Sequence, residues 1–334
     1  MILQRIARYI AFVMLLAVLG AAGYVAWVLT RPLTLPATPF DFEVRPGMTL
    51  SAVAHELQGA QVLEQTWPMI ALARLLGVDR AIKAGSYEIE TQITLHELLQ
   101  RLTQGDVTQA SFVIIEGATF ADVKRALRAD AQIRNTVLEL PDNDLMARLG
   151  APGQGVEGHF FPDTYFFPVG GSDLALLRRA HKAMTARLAA AWEKRTPGLP
   201  LATPDEALTL ASIVEKETGR PADRPLIASV FINRLRQGMR LQTDPAVIYG
   251  MGDKFDGNLR KRDLEADTAW NTYTRDGLPP TPIALPSQAA LDAVLQPPAT
   301  DYLYFVSRGD GSSQFSANLT DHNRAVAKFQ KGGR

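Results

Sequence analysis

The sequence predicts an α+β protein in three parts: an N-terminal transmembrane helix, a small α+β module and a larger mixed α/β domain. Three observations predict it. Residues 10–29 form an uncharged, predominantly apolar run of 20 residues. A short strand–turn–helix pattern then recurs three times. Beyond it lie long amphipathic helical segments, proline- and glycine-rich loops and an alternating strand at 302–306.

As a helix, the apolar run spans about 30 Å, the thickness of a bilayer core. Arg5 and Arg8 precede it and only Arg31 follows before Arg45, a bias that places the N-terminus inside. Tyr24 and Trp27 approach the far end, where amphipathic rings favour the interface. Gly20-Ala21-Ala22 offers an alternative, a leader-cleavage site, but the chain stays apolar through Leu29. The expected layout is a cytoplasmic tail at 1–9, an inner-membrane anchor at 10–29, and a linker at 30–40 stiffened by Pro32, Pro36 and Pro39. The bulk of the chain then lies in the periplasm.

Acidic and basic side chains balance at 35 each, which argues against a nucleic-acid binder. Cysteine is absent, so no disulfide frame, thiolate nucleophile or Cys-based metal site is available. His55, His96, His159, His181 and His322 lack metal-ligand spacing, and no His-Glu-x-x-His, Gly-x-Ser-x-Gly or phosphate loop occurs. No metal site is expected.

After the linker, Phe42, Val44, Gly47, Thr49, Leu50, Val53 and Leu57 recur seventy positions later as Phe112, Ile114, Gly117, Thr119, Phe120, Val123 and Leu127. Tyr87, Ile89, Thr94, Leu95, Leu98 and Leu102 form a weaker copy without the glycine. Each unit reads as an alternating strand, a turn, a threonine cap and an amphipathic helix. Units this small pack together to bury a core. The first two, with a helical segment at 65–76 between them, predict a compact module at 41–108. It resembles a LysM-like module, a small fold associated with N-acetylglucosamine-containing glycans. A spacer that holds the next domain off the membrane is the alternative role. The third copy opens the larger domain, 109–334.

In that domain, Glu157-Gly158-His159-Phe160-Phe161-Pro162-Asp163-Thr164-Tyr165 has the composition of a shaped loop. Its aromatics either plug the core or wall a sugar cleft in which Glu157, Asp163 and Tyr165 contact substrate. A helix over 174–194 carries a basic face (Arg178, Arg179, His181, Lys182, Arg187, Lys194) expected to be solvated. Another over 225–237 turns Ile227, Val230, Phe231 and Leu235 inward and stops at Gly238. Gln242, Thr243, Asp244, Asn271 and Tyr273 are polar groups on loops, suited to sugar hydroxyls and acetamido groups more than to phosphates. Tyr249, in the short apolar helix after the first of these turns, joins them as a candidate.

The stretch 203–220 is the best-marked helix. Thr203 is a candidate N-cap, Pro204 suits the first helical position, and Glu206 completes a capping box. Gly219 is placed to end it in a left-handed conformation. At about 100° per residue, Ala207, Leu208, Leu210, Ala211, Ile213 and Val214 form a broad apolar arc, with Asp205, Thr209, Ser212 and Lys216 on the polar side. Glu217 falls in line with Leu210, Ile213 and Val214, and Glu215 sits nearer the opposite edge. A carboxylate on a core-facing stripe is costly to ionise, so its pKa rises and it becomes a candidate general acid. The alternative is a structural glutamate that pairs with a buried arginine or caps a loop.

Taken in order, these stretches resemble the MltG (YceG-like) endolytic murein transglycosylases. The likeness rests on Ala211-Ser-Ile-Val-Glu-Lys-Glu-Thr218, Val230-Phe-Ile-Asn-Arg-Leu235, Leu241-Gln-Thr-Asp-Pro245 with Tyr249-Gly250, Asn271-Thr-Tyr273, Leu278-Pro-Pro280 and Tyr302-Leu-Tyr-Phe-Val306. It also takes in Glu157-Gly158 through Pro162-Asp163-Thr164, the anchor and the LysM-like module. After Leu278-Pro-Pro280 the family has a glycine-containing turn, and this chain departs with Thr281-Pro-Ile-Ala-Leu-Pro-Ser287.

The resemblance implies lytic cleavage, within glycan strands, of the β-1,4 bond between N-acetylmuramic acid and N-acetylglucosamine. It implies 1,6-anhydromuramoyl ends, Glu217 as the catalytic glutamate, and no cofactor. Peptidoglycan is the implied substrate, and the peptidoglycan synthases of elongation or division the implied partners. One carboxyl suffices for this reaction: it protonates the glycosidic oxygen, then takes the proton of the muramoyl C6 hydroxyl as that oxygen attacks C1. A hydrolase normally needs two, and Glu215 lies about 200° round the helix from Glu217. A hydrolytic muramidase and a non-catalytic glycan-binding scaffold of the cell-wall machinery are the competing functions.

Overall fold

The computed structural model describes residues 12–331 apart from 13, 17, 18, 21, 22, 26, 28, 46, 90 and 105–108. The expected tail at 1–9 and part of the expected anchor at 10–29 lie outside the described residues. Among the described residues no helix is long and apolar enough to cross a membrane. The chain divides into two compact units, Met1–Phe112 with Phe166–Gly171, and Val113–Tyr165 with Ser172–Arg334.

In the first unit, alternation in β1 (Phe40–Val44) buries Phe42 and Val44. β2 (Gly85–Ile89) pairs with it antiparallel, Phe42 opposite Tyr87, and the two rings stack at 5.4 Å. Helices α1 (Leu50–Gly59), α2 (Trp67–Leu75) and α3 (Leu95–Gln104) close one core that includes Val53, Leu57, Met69, Leu98 and Leu102. The threonines set where helices start. Thr49 Oγ1 accepts from Ala52 N at 3.3 Å. Thr94 N donates to Glu97 Oε2 at 2.7 Å while Glu97 N donates to Thr94 Oγ1 at 3.2 Å, a reciprocal capping box. The expected spacer lies partly on this unit: Leu33 is buried, its N–H donates to Ile93 O at 2.8 Å, and Arg31 pairs with Glu64 at 2.9 Å.

Strands β3 (Gln109–Val113) and β4 (Thr164–Pro168) form a second two-stranded sheet. In the second unit, the third copy of the repeat opens α4 (Phe120–Ala129), where Thr119 and Asp122 share a capping box. Then come α5 (Asp142–Arg148), α6 (Asp173–Glu193), α7 (Pro204–Glu217), α8 (Arg224–Arg236), α9 (Asp244–Met251), α10 (Lys261–Glu265) and α11 (Gln288–Leu295). A hairpin of β5 (Tyr304–Ser307) and β6 (Ser313–Ser316), followed by α12 (Leu319–Val326), closes the unit. Helices α7, α8 and α11 pack on one another and carry much of the core. The basic face of α6 is only partly solvated. Arg187 lies over the Phe161 ring at 4.1 Å, and His181 Nε2 meets Gln154 Oε1 at 2.8 Å.

Helix α7 departs from expectation in three ways. Thr203 Oγ1 caps Glu206 N at 3.2 Å, but the Glu206 carboxylate reaches past the cap to Ala202 N at 2.5 Å. At the other end Thr218 is already extended (φ −150°, ψ 133°) and its hydroxyl accepts from Arg220 N at 3.0 Å. The chain has therefore left the helix before Gly219, which does not take a positive φ. Thr209 and Ser212, expected on the polar side, are buried. The segment 282–287 covers Ser212, with Ile283 N donating to Ser212 Oγ at 2.9 Å.

The same segment meets Gly158, whose φ is +83° and where an added Cβ would stand 2.6 Å from the Pro282 ring. Gly158→Ala is expected to destabilise the protein by about 2 kcal/mol, from left-handed strain and overpacking together. A lowered urea midpoint at unchanged far-ultraviolet dichroism would be the sign. An unshifted midpoint would show that the Pro282 contact relaxes freely.

Candidate active site

Helix α7 ends on Glu217, a half-buried residue. Thr243, at the start of α9, donates its hydroxyl to Glu217 Oε1 at 2.5 Å. Burial pushes the Glu217 carboxyl up to about 7, with the Asp244 carboxylate adding to the rise and the Thr243 hydroxyl and Arg234 opposing it. Desolvation outweighs one hydroxyl donor. Among the described residues Glu217 makes no ion pair.

Its neighbours are held firmly. Gln242 adopts a left-handed backbone, φ +51°, which costs about 1 kcal/mol. Gln242 N donates to Thr272 O at 3.1 Å and Thr243 N to Thr272 Oγ1 at 2.9 Å. These bonds keep the Thr243 hydroxyl aimed at Glu217. Tyr273 donates its hydroxyl to Asp244 Oδ1 at 2.5 Å. Arg234 is buried on α8, with Nε donating to Leu303 O at 2.7 Å and Nη1 to Leu241 O at 2.9 Å.

Glu215 is a different kind of carboxylate. It pairs with Arg224 at 3.3 Å, each side chain little exposed, and accepts from Ser287 N at 2.9 Å and from the Ser287 hydroxyl. It ties α7 to α8 and to the start of α11, and its lone pairs are spoken for.

Farther back along α7 a cleft of about 820 Å³ opens, lined by Asp205, Glu206 and Thr209 of that helix and by its N-cap Thr203. Glu157, Tyr249 and Trp270 line it as well, and Glu217 does not. Glu157 is buried and accepts from Phe120 N at 3.0 Å and from the Tyr249 hydroxyl at 3.1 Å. Burial raises its carboxyl to about 7 against those two donors.

The structure therefore gathers Glu217, Gln242, Thr243, Asp244 and Tyr273 at one end of α7, and Glu157 and Tyr249 in the cleft. It leaves three other expected residues outside both. Asn271 is fully buried, its amide donating to Leu264 O at 3.0 Å and Ala266 O at 2.6 Å while its oxygen accepts from Tyr273 N at 2.9 Å. Tyr165 is buried and donates to Phe161 O at 2.7 Å. Asp163 is exposed and accepts from Thr164 N at 2.8 Å. Of the loop aromatics, Phe160 and Phe161 are buried, so they plug the core. Arg234, which the sequence shows only within the Val230–Leu235 motif, and Trp270 are not among the candidates from the sequence. Arg234 follows Val230 and Phe231 at helical spacing, so an arginine on a buried stripe was the available signal.

The sequence matches the model of the YceG-like family over residues 42–328. A Bacillus subtilis (strain 168) protein named endolytic murein transglycosylase is 30% identical, over 87% of this chain and 85% of its own length. A Streptococcus pneumoniae serotype 2 protein of the same name is 29% identical over 96% of this chain, which spans 65% of that protein. The crystal structure of a yceG-like protein from Listeria monocytogenes aligns with a TM-score of 0.54 and 27% identity, over 85% of this chain and 98% of that one.

The two glutamates of α7 predict opposite stability effects. Glu215→Ala strands Arg224 in a buried position and is expected to cost about 3 kcal/mol. Glu217→Gln removes a group that holds its proton more tightly folded than unfolded. Such a group contributes its full stability below the unfolded value of 4.5 and loses it as pH rises toward 7. Urea unfolding of the wild type between pH 4.5 and 7 is expected to show falling stability, at most about 1.4 kcal/mol per pH unit for each raised carboxyl. Glu217→Gln is expected to flatten that slope. A slope untouched by the substitution would contradict the raised value.

Proposed function

This chain belongs to the YceG-like family, and from that premise we propose that it is an endolytic peptidoglycan lytic transglycosylase that uses Glu217 as its single acid and base. It cleaves the β-1,4 bond between N-acetylmuramic acid and N-acetylglucosamine inside glycan strands and leaves 1,6-anhydromuramoyl ends. Residues 10–29 anchor it in the cytoplasmic membrane with the N-terminus inside. In sequence, the LysM-like module at 41–108 follows the anchor and precedes the catalytic domain at 109–334, and both belong to the periplasm. Its partners are the synthases that build the strands.

The observation that carries this reading is the contrast within α7. Glu215 is neutralised by Arg224, whereas Glu217 has a hydroxyl donor, no ion-pair partner among the described residues and a proton retained to about 7. A carboxyl in that state serves as a general acid near neutral pH. Glu217 gives its proton to the glycosidic oxygen as the C1–O bond breaks and oxocarbenium character develops at C1. The muramoyl O6 then attacks C1 within the same sugar, and its proton passes to the Glu217 carboxylate, which restores the acid. No water is consumed. The attack is intramolecular, so proximity supplies what a second carboxylate would otherwise provide. The Thr243 hydroxyl occupies Oε1 and leaves Oε2 for the proton in flight.

One observation favours a hydrolytic muramidase instead. Asp244 is exposed and close enough to raise Glu217, so a second carboxylate is present to activate water. Product analysis separates the two readings.

Digestion of purified peptidoglycan followed by mass spectrometry is expected to give anhydro ends with the wild type, and at least 100-fold fewer with Glu217→Gln. Reducing ends one water heavier would establish hydrolysis, and anhydro ends unaffected by Glu217→Gln would remove Glu217 from the mechanism. Because the acid must carry its proton, kcat/KM is expected to fall as pH rises above about 7. Thr243→Val deletes the donor that favours the ionised form, so this limb moves to higher pH. An unmoved limb would mean that the hydrogen bond does not tune Glu217.

A further inference from the structure

We infer that the cleft beside the N-terminal half of α7 is a second, non-catalytic binding site for N-acetylhexosamine units, separate from Glu217. Thr209 lines it, and eight helical steps, about 12 Å of rise, separate Thr209 from Glu217. Its volume of about 820 Å³ lies within the range of small-ligand sites.

The site is built from within. His159 is more than nine-tenths buried, and its Nδ1 lies 3.0 Å from Glu157 O. A carbonyl only accepts, so Nδ1 carries the hydrogen of that bond. Nε2 faces Asp205 Oδ1 at 3.6 Å and is shut off from the cavity, so His159 packs the wall of the cleft and fixes the Glu157 main chain. Glu157, equally buried, lines the same cleft and holds a proton to about 7. Beside Glu157, the exposed Asp205 carboxylate offers acceptors and the Gln154 amide a donor in the same cavity, which suits a ligand that both gives and takes hydrogen bonds, as sugar hydroxyls and acetamido groups do.

The apolar wall fits a pyranose face. Trp270 is half-buried, with Nε1 donating to Thr281 Oγ1 at 3.0 Å and the Tyr249 ring meeting it edge-on at 5.8 Å. It lies against Gly250, where an added Cβ would come within 3.0 Å of Trp270 Cβ. Neither Lys nor Arg lines the cleft, which argues against a phosphate or carboxylate ligand. The inference rests on the glycan reading above: an enzyme that cuts within a strand must hold sugars away from the cut.

The test is calorimetric titration of the full chain in detergent with the β-1,4 tetramer of N-acetylglucosamine, which has no muramoyl sugar and no peptide. The wild type and Glu217→Gln are expected to bind it alike. Trp270→Ala and Asn143→Trp, the latter an exposed rim position that obstructs the cleft without touching the core, are each expected to weaken binding about tenfold or more. Equal binding by both variants, each folded by circular dichroism, overturns the inference and places the tetramer elsewhere. So does binding of peptide-bearing muropeptides alone. A wild type that makes anhydro ends yet ignores the tetramer sinks this site and leaves the catalytic reading standing. A wild type that binds at the cleft but makes no anhydro ends does the reverse.

Discussion

Helix α7 is enclosed on nearly every side through its middle, and a helix so enclosed must find a partner for each polar side chain it carries. Ser212 receives Ile283 N, and Glu215 receives Arg224 and Ser287. These bonds fix the segment 282–287 and the neighbouring helices α8 and α11 against one element. The cost of leaving a buried acceptor unmet, about 1–3 kcal/mol, makes each contact obligatory. The site inherits its rigidity from this packing, because the residue that ends the helix is placed by everything that holds the helix.

Two carboxylates two residues apart meet that constraint in opposite ways. Glu215 is neutralised by a buried cation, and removing either partner leaves a charge stranded in low dielectric. Glu217 meets the same desolvation with a hydroxyl and keeps its proton instead. The difference comes from what faces each residue across the helix, not from the residues themselves. Glu157 repeats the second solution in another loop, with a phenol and a backbone N–H as its donors.

Where structure is local, the sequence was a good guide. The strand–turn–cap–helix repeat was legible because Thr49, Thr94 and Thr119 act on backbone groups three residues away. The apolar arc of α7 likewise singled out Glu217 from its own helix. What escaped notice depends on distant segments. Ser212 looked solvent-facing because its cover, Ile283, arrives some seventy residues later. Asn271 and Tyr165 looked available to a ligand, yet each is occupied by nearby main-chain groups that composition does not reveal. Arg234 was visible as a sequence letter on a buried stripe, but the carbonyls that receive it lie on two other loops.

The abrupt stop of α7 has a consequence of its own. Because Thr218 is extended, Glu217 is the last helical residue and stands among carbonyls that have no intrahelical partner. The aligned peptide dipoles make that end of a helix equivalent to about half a negative charge. An anion there is disfavoured by about 0.3–1 kcal/mol, whatever side chains surround it. The backbone thus opposes the ionised form of Glu217 each time a proton leaves and favours its return. Shortening or fraying the last turn of α7 would weaken that bias without altering a single neighbouring side chain.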